Sequence, residues 1–341
     1  MARESTLELD APITPPSRAA LWLKLARLSR AHPLGVFGLF CVALMTFSAV
    51  FADFIVPYDP DALQTGPTSE GPTLAHPFGT DRLGGDVLSR TIFGARIAMI
   101  IGLISVTLGM AMGSAVGIIS GYFGGFVDAV IQRLVDALLA FPAVVLLLAI
   151  IAVIGDTDSA VRVFLSDNTP IPEGTFWGVP NFLDVIVLSI GIGIAIAVGA
   201  ARVVRGAVLS LKENVYIEAA TAMGATDWRI MRRHILPNVA ALIVVLGTIF
   251  LPIAILAEAA ISFLGIGVPA GTPSWGADMA GTNRDDAINR GVWWVVFFPG
   301  LALSIVVLGF NLLGDSFRDI SDPRLRGSGI GGTGRSGGSG F

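Results

Sequence analysis

Few side chains in this sequence are placed for chemistry of their own. A phosphate-binding loop needs glycines that present backbone amides and a lysine that follows them. The only lysines are Lys24 and Lys212, and neither follows a glycine, so no ATP site is expected in the chain. The single cysteine, Cys41, excludes a disulfide framework and a multi-cysteine metal centre. His32, His76 and His234 lie too far apart to show ligand spacing. The remaining candidates are ionisable groups in or beside apolar runs, which are functional suspects by default. They are Asp53, Asp128, Arg133, Asp136 and, above all, Glu258. One further segment, from Ser210 to Val239, combines small residues, a glycine, a basic cluster and a Leu-Pro pair.

The elements that must hold these residues follow from composition. Of 341 residues 14% are charged, 53% are apolar, and the mean hydropathy is +0.75. Ordinary soluble domains carry about 25% charged residues. This chain is therefore expected to be an integral membrane protein, and its pI near 5.4 leaves no basic excess for nucleic acid. Uncharged runs occur at 33–52, 97–119, 137–155, 185–201, 235–257 and 291–314. Each is close to the roughly 20 residues needed to cross hydrocarbon, which predicts six transmembrane helices. The first is not a cleavable signal, since no A-x-A site follows it and five more spans do.

Direction follows from the basic residues. With the N-terminus inside, the inner segments 1–33, 120–134, 202–234 and 315–341 hold 16 of the 22 Lys and Arg, and the outer segments hold 6. That bias predicts both termini in the cytoplasm. Residues 22–30 read as a basic amphipathic helix on the inner leaflet, and the Gly/Ser-rich stretch after Gly327 reads as a flexible extension. Gly109, Gly113, Gly117 and Gly121 recur every four residues, a spacing that lets another helix backbone approach closely. Pro142, Pro252 and Pro299 are expected to kink their spans.

Within Ser210–Val239, Ser210 and Glu213 have capping-box spacing, so a short helix is expected from there to Met223. It carries Glu218-Ala219-Ala220 and ends at Gly224. Asp227 is expected to cap a second helix, with Leu236-Pro237 closing the segment. The first helix should expose Ala219, Ala220 and Ala222, which would let its backbone sink into a groove on another protein. Lys212, Arg229, Arg232 and Arg233 would form a basic rim that steers an acidic partner.

The string Glu218-Ala219-Ala220, three residues, Gly224, and then Leu236-Pro237 resembles the E-A-A loop of binding-protein-dependent ABC importer permeases. Their pattern has isoleucine where this chain has His234, and His-Ile-Leu-Pro is usual in the peptide-importer branch. Other stretches resemble the C-subunit type of dipeptide and oligopeptide permease. They include His76-Pro-Phe-Gly-Thr-Asp81, Asp86-Val-Leu-Ser-Arg90 and Phe93-Gly-Ala-Arg96. Ser120–Gly125, Ala140-Phe-Pro142, Ser262-Phe-Leu-Gly265, Pro273-Ser-Trp-Gly276 and Asn311–Asp315 agree as well. Gly85 stands where many members carry arginine. The outer segment 156–184 is longer than usual.

The resemblance implies an all-α integral membrane protein with six transmembrane helices. Its fold would be that of a type I ABC importer permease with a cytoplasmic E-A-A coupling helix. Residues 1–32 would be a cytoplasmic segment, 33–56 the first transmembrane helix and 57–94 an extracytoplasmic loop. Residues 95–314 would form the permease core and 315–341 the cytoplasmic tail. Glu218, Ala219, Ala220, Gly224, Leu236 and Pro237 would couple the chain to ATPase subunits. Those subunits would bind ATP and Mg, and the chain itself would hold neither cofactor nor metal. The implied partners are a homologous second permease forming a heterodimer, two ABC ATPase subunits and an extracytoplasmic substrate-binding protein, all at a prokaryotic plasma membrane.

Di- or oligopeptides are the default substrate, although glutathione, nickel and some sugar importers share the pattern. Glu258 would line an outer vestibule and meet a peptide amino terminus, or hydrogen-bond a neighbouring helix. A secondary transporter would need midplane carboxylates or an internal repeat, and a membrane enzyme would need convergent catalytic groups. The sequence offers neither.

Overall fold

Helix is the only regular structure that satisfies all its backbone polar groups within one segment in lipid, and most of the described residues are helical. A computed structural model describes residues 33–155, 159–172, 174–269 and 271–321. The basic stretch 22–30 and the tail beyond Ser321 lie outside the described residues. Helices α1 (Pro33–Val50) and α2 (Ala52–Ile55) are followed by an outer loop and α3 (Val87–Phe123). Next come α4 (Gly125–Leu139), α5 (Ala143–Ile154), α6 (Ala160–Asn168) and α7 (Phe182–Lys212). Helices α8 (Val215–Ala222) and α9 (Asp227–Ile230) lead through a π-helical turn, Met231–Ile235, into α10 (Leu236–Phe263). The chain ends with α11 (Trp275–Asp278), α12 (Gly281–Asn289) and α13 (Trp294–Ser321). Among the described residues no strand forms, and only Thr80–Asp86 and Phe176–Val179 pair as isolated bridges.

Five of these helices are long and apolar enough to cross a membrane, and a bent pair makes a sixth if its two helices are counted as one span. That pair lies where a third span kinked at Pro142 is expected over 137–155, and the bend there is sharp. Helices α4 and α5 meet at 102° across Ala140–Pro142. Pro142 has no amide to donate, and the residue before a proline is pushed out of helical geometry. The 12-residue α5 is about 18 Å long, short of the roughly 30 Å of hydrocarbon, so it cannot cross alone. Pro252 and Pro299, by contrast, stay inside continuous helices.

Helix α3 has 37 residues and α7 has 31, about 55 and 47 Å at 1.5 Å per residue. Both extend beyond the apolar runs from which they were expected. Their contact is the most extensive in the chain, and its basis is small residues. A Cβ on Gly109 would lie 2.7 Å from Gly193 O, on Gly113 2.7 Å from Ala197 O, and on Gly117 2.7 Å from Ala201 O. On Gly121 it would lie 3.0 Å from Arg205 O. One turn earlier, Ser105 Oγ donates to Ser189 O at 2.9 Å. Both helices therefore advance by four in step, parallel and in register. Packed around them are Ile97, Ile101, Ile192, Val204, Ile235 and Val239.

The loop between α2 and α3 is folded by its own motif residues. Asp86 caps α3 by accepting from Ser89 N at 2.8 Å, and its other oxygen lies 2.9 Å from His76 Nδ1. Tyr58 stacks on His76, and Phe78 stacks on Phe298 of α13. Trp294 Nε1 donates to Thr80 O.

Candidate functional site

The Ser210–Val239 segment departs from expectation at its start. Ser210 and Glu213 form no capping box; Ser210 lies inside α7, which runs on to Lys212. The long α3–α7 contact outweighs the local capping signal there. Asn214 separates α7 from α8, and its side-chain amide donates to Leu211 O at 2.9 Å, satisfying a carbonyl that the helix end leaves open.

Helix α8 presents two faces. Ile217 and Ala220 are buried, Ala220 to 4% exposure, so the expectation that Ala220 faces outward is corrected. Val215, Glu218, Ala219, Ala222 and Met223 are exposed, and their spacing places them on one side of the helix. The helix ends in a Schellman motif. Ala225 N donates to Ala220 O at 3.1 Å and Gly224 N to Thr221 O at 2.9 Å, with Gly224 at φ +81°. Asp227 does not cap α9. Thr226 precedes that helix, and the Asp227 carboxylate accepts from Tyr122 Oη at 2.7 Å, tying the segment to the end of α3.

Leu236-Pro237 does not interrupt the helix. The wider π-helical turn over Met231–Ile235 carries α9 directly into α10, so residues 227–263 form one 37-residue rod. A π turn shifts the hydrogen-bond register by one residue, which accommodates a proline without an N–H. Lys212 does not join a common rim with the arginines. Its ammonium donates to Tyr122 O at 2.6 Å and lies 5.6 Å from the Tyr122 ring centre.

The inner acids pair across helices. Asp128 of α4 takes a bidentate bond from Arg205 of α7 and a third from Ser120. Asp136 pairs with Arg202, while Arg133 is exposed.

At the other end Glu258 is 1% exposed. One carboxylate oxygen accepts from Ser262 Oγ at 2.8 Å and Ser274 Oγ at 2.7 Å. Ser274 also caps α11, and Trp275 donates from Nε1 to Thr91 O at 2.8 Å. Glu258 thus fastens α10 to the segment that returns to α3. It faces the protein interior, and it does not line the outer cleft.

That cleft, about 740 Å³, is lined by Asp61, Asp81, Arg90, Thr272, Asp278 and Arg284 among others. Arg90 clamps Asp278 Oδ1 from Nε at 2.9 Å and Nη2 at 2.6 Å. Burial pushes the Asp278 carboxyl above its usual range, with Arg90 opposing the shift. Arg96 is 0% exposed. It donates to Ala49 O, Trp177 O and both oxygens of Asp53, and it lies between the rings of Phe93 and Trp177. Sequence alone marks Asp53 as an ionisable group beside an apolar run, with no partner in view. Its partner is 43 positions away, and that of Asp278 is 188 positions away. No local spacing signals such pairs. Among the described residues no cluster of His, Cys, Asp and Glu could hold a metal.

Residues 113–327 match the family described as binding-protein-dependent transport system inner membrane component. Residues 21–77 match the N-terminal transmembrane domain of oligopeptide transport permease C. The chain is 36% identical over 300 residues to a putative peptide transport system permease protein of Brucella suis, covering 88% of this chain and 90% of that protein. It is also 36% identical over 301 residues to a glutathione transport system permease protein of Pectobacterium atrosepticum, covering 88% and 90% of the two chains. Against the glutathione permease of Shigella flexneri the identity is 36% over 326 residues, covering 95% and 98%.

Proposed function

This chain belongs to the family of binding-protein-dependent transport system inner membrane components, and on that premise we propose that it forms half of the pore of a peptide importer. It is a permease subunit and not an enzyme. Small peptides, glutathione among them, are the substrate class, because relatives bearing both names align along most of the chain. The second half of the pore is a homologous permease, and an extracytoplasmic binding protein delivers the cargo. Two ATPase subunits bind ATP and Mg on the cytoplasmic side.

The observation that carries this reading is the uncovered face of α8. Ile217 and Ala220 seat the helix in the core while Val215, Glu218, Ala219, Ala222 and Met223 remain outside. A face of two alanines flanked by Val215 and Met223 fits a shallow groove, and Glu218 supplies its one charge. Tyr122 and Asp227 tie the turn after α8 to the end of α3, and α9 continues without a break into α10. A displacement of α8 would therefore be passed to two long helices. Closure of the ATPase pair would draw two such helices together and reopen the pore outward. Docking must favour one pore state, because equal affinity for both shifts nothing.

The test is Ala219→Trp. The variant should reach the membrane at the wild-type level, lose co-purification with the ATPase subunits and lose peptide uptake. Retained co-purification and uptake would overturn the coupling assignment.

A further inference from the structure

Arg229, Arg232 and Arg233 are exposed. Among the described residues no carboxylate pairs with any of them, whereas Arg202, Arg205 and Lys212 on the same side are all engaged. With Trp228 and Pro237 the three arginines line a cleft of about 440 Å³. Three guanidinium groups converging on one cleft suit an anion with several oxygens, and phosphate matches their fork geometry best.

Depth and direction say where that phosphate comes from. The helix enters its apolar stretch at Leu236-Pro237. At 1.5 Å per residue, Arg233 and Arg232 lie about 6 to 8 Å outside Pro237 and Arg229 about 12 Å outside it. The headgroup layer of a bilayer is about 5 to 8 Å deep on each side, so the first two arginines stand at headgroup level. Trp228, 68% exposed, lies one residue beyond Arg229 and closes the far end of the cleft. The same side of the rod continues through exposed Leu236, Pro237, Ala240, Ala241 and Val244, an apolar strip that suits acyl chains.

We propose that this cleft binds the phosphate of an anionic phospholipid whose chains lie along Leu236–Val244. The inference does not rest on ATPase docking by α8. It needs only that the helix enters the bilayer near Pro237. Bound lipid would hold the cytoplasmic end of α10 at a set depth and make the chain sensitive to membrane charge.

The test uses the full chain in dodecyl maltoside, with dioctanoyl phosphatidylglycerol and dioctanoyl phosphatidylcholine as probes. Each arginine near a phosphate contributes about fivefold in affinity, so the anionic lipid should bind far more tightly than the zwitterionic one. R232Q/R233Q should cut that preference about 25-fold, and Arg133→Gln, an exposed cation on α4, should leave it unchanged. Should the double variant fail to elute as a single species, Arg233→Gln alone should still cut the preference about fivefold. Equal binding of the two lipids, or an anionic preference kept in the variants, overturns the proposal. So does displacement of the lipid by equimolar inorganic phosphate, which would mark a site for a free anion. If the variants keep the lipid preference but no longer co-purify with ATPase subunits, the arginines serve the ATPase and the lipid assignment falls.

Discussion

Arg96 carries a full charge into a position with no solvent exposure, and it is tolerated because four of its five N–H groups have acceptors. Ala49 O, Trp177 O and both Asp53 oxygens accept its protons, and two aromatic faces flank its plane. The arrangement joins α1, α3 and the segment before α7 at their outer ends. Removing the carboxylate leaves a buried guanidinium short of an acceptor, and because the Asp53 side chain is half-exposed and two backbone carbonyls remain, the loss is about 1–3 kcal/mol. Asp53→Asn should therefore lower the melting temperature of the purified chain markedly, and an unchanged melting curve would show that the pair is dispensable.

Asp278 offers a pH test. Its folded pKa is raised by burial, so its contribution to stability is fully present below the ordinary aspartate value of about 3.9. That contribution is lost as pH rises through the raised value. Melting curves taken across that interval should show a falling contribution in the wild type. Asp278→Asn, which does not titrate, should flatten it.

At the scale of elements, the contact between α3 and α7 turns on the absence of side chains. Gly113→Ala would place a methyl 2.7 Å from Ala197 O, and overpacking of this kind costs about 1–3 kcal/mol. Gly206 lies in α7 with nothing within 4 Å of a built Cβ, so Gly206→Ala should gain up to about 1 kcal/mol of helix propensity. Opposite shifts in melting temperature would separate close packing from glycine content. Gly224 has open space around it but φ +81°, so Gly224→Ala should cost about 1–2 kcal/mol through backbone strain alone.

The glycine spacing was readable from the sequence, whereas the register 109/193, 113/197 and 117/201 needed the second helix in place. The capping-box reading at Ser210 failed at this same scale. A four-residue signal was overridden by a helix whose packing carries it past that point.

For the whole molecule, five long apolar helices and one bent pair are the segments that can cross a membrane. The bent pair α4–α5 shows where a count of apolar runs stops being a count of rods. With 16 of 22 basic residues on one side, α8 is expected in the cytoplasm. In a Cys41→Ala background, Val215→Cys should react with a membrane-impermeant maleimide only in opened cells. Leu74→Cys, fully exposed in the outer loop, should react in intact ones. The reverse pattern would invert the topology.

Membrane residence, the approximate spans and family membership were all legible in one dimension. Each depends on composition or on residues close together in the chain, and hydrocarbon imposes the same length and polarity on any segment that crosses it. Three features were not legible: the seating of Ala220 in the core, the turning of Glu258 toward Ser262 and Ser274, and the partners of Arg90 and Arg96. Those depend on which faces of distant helices come together. Several faces of each apolar helix are nearly equivalent in lipid. The choice among them falls to close packing and to the pairing of buried charges, and both exist only once the chain is folded.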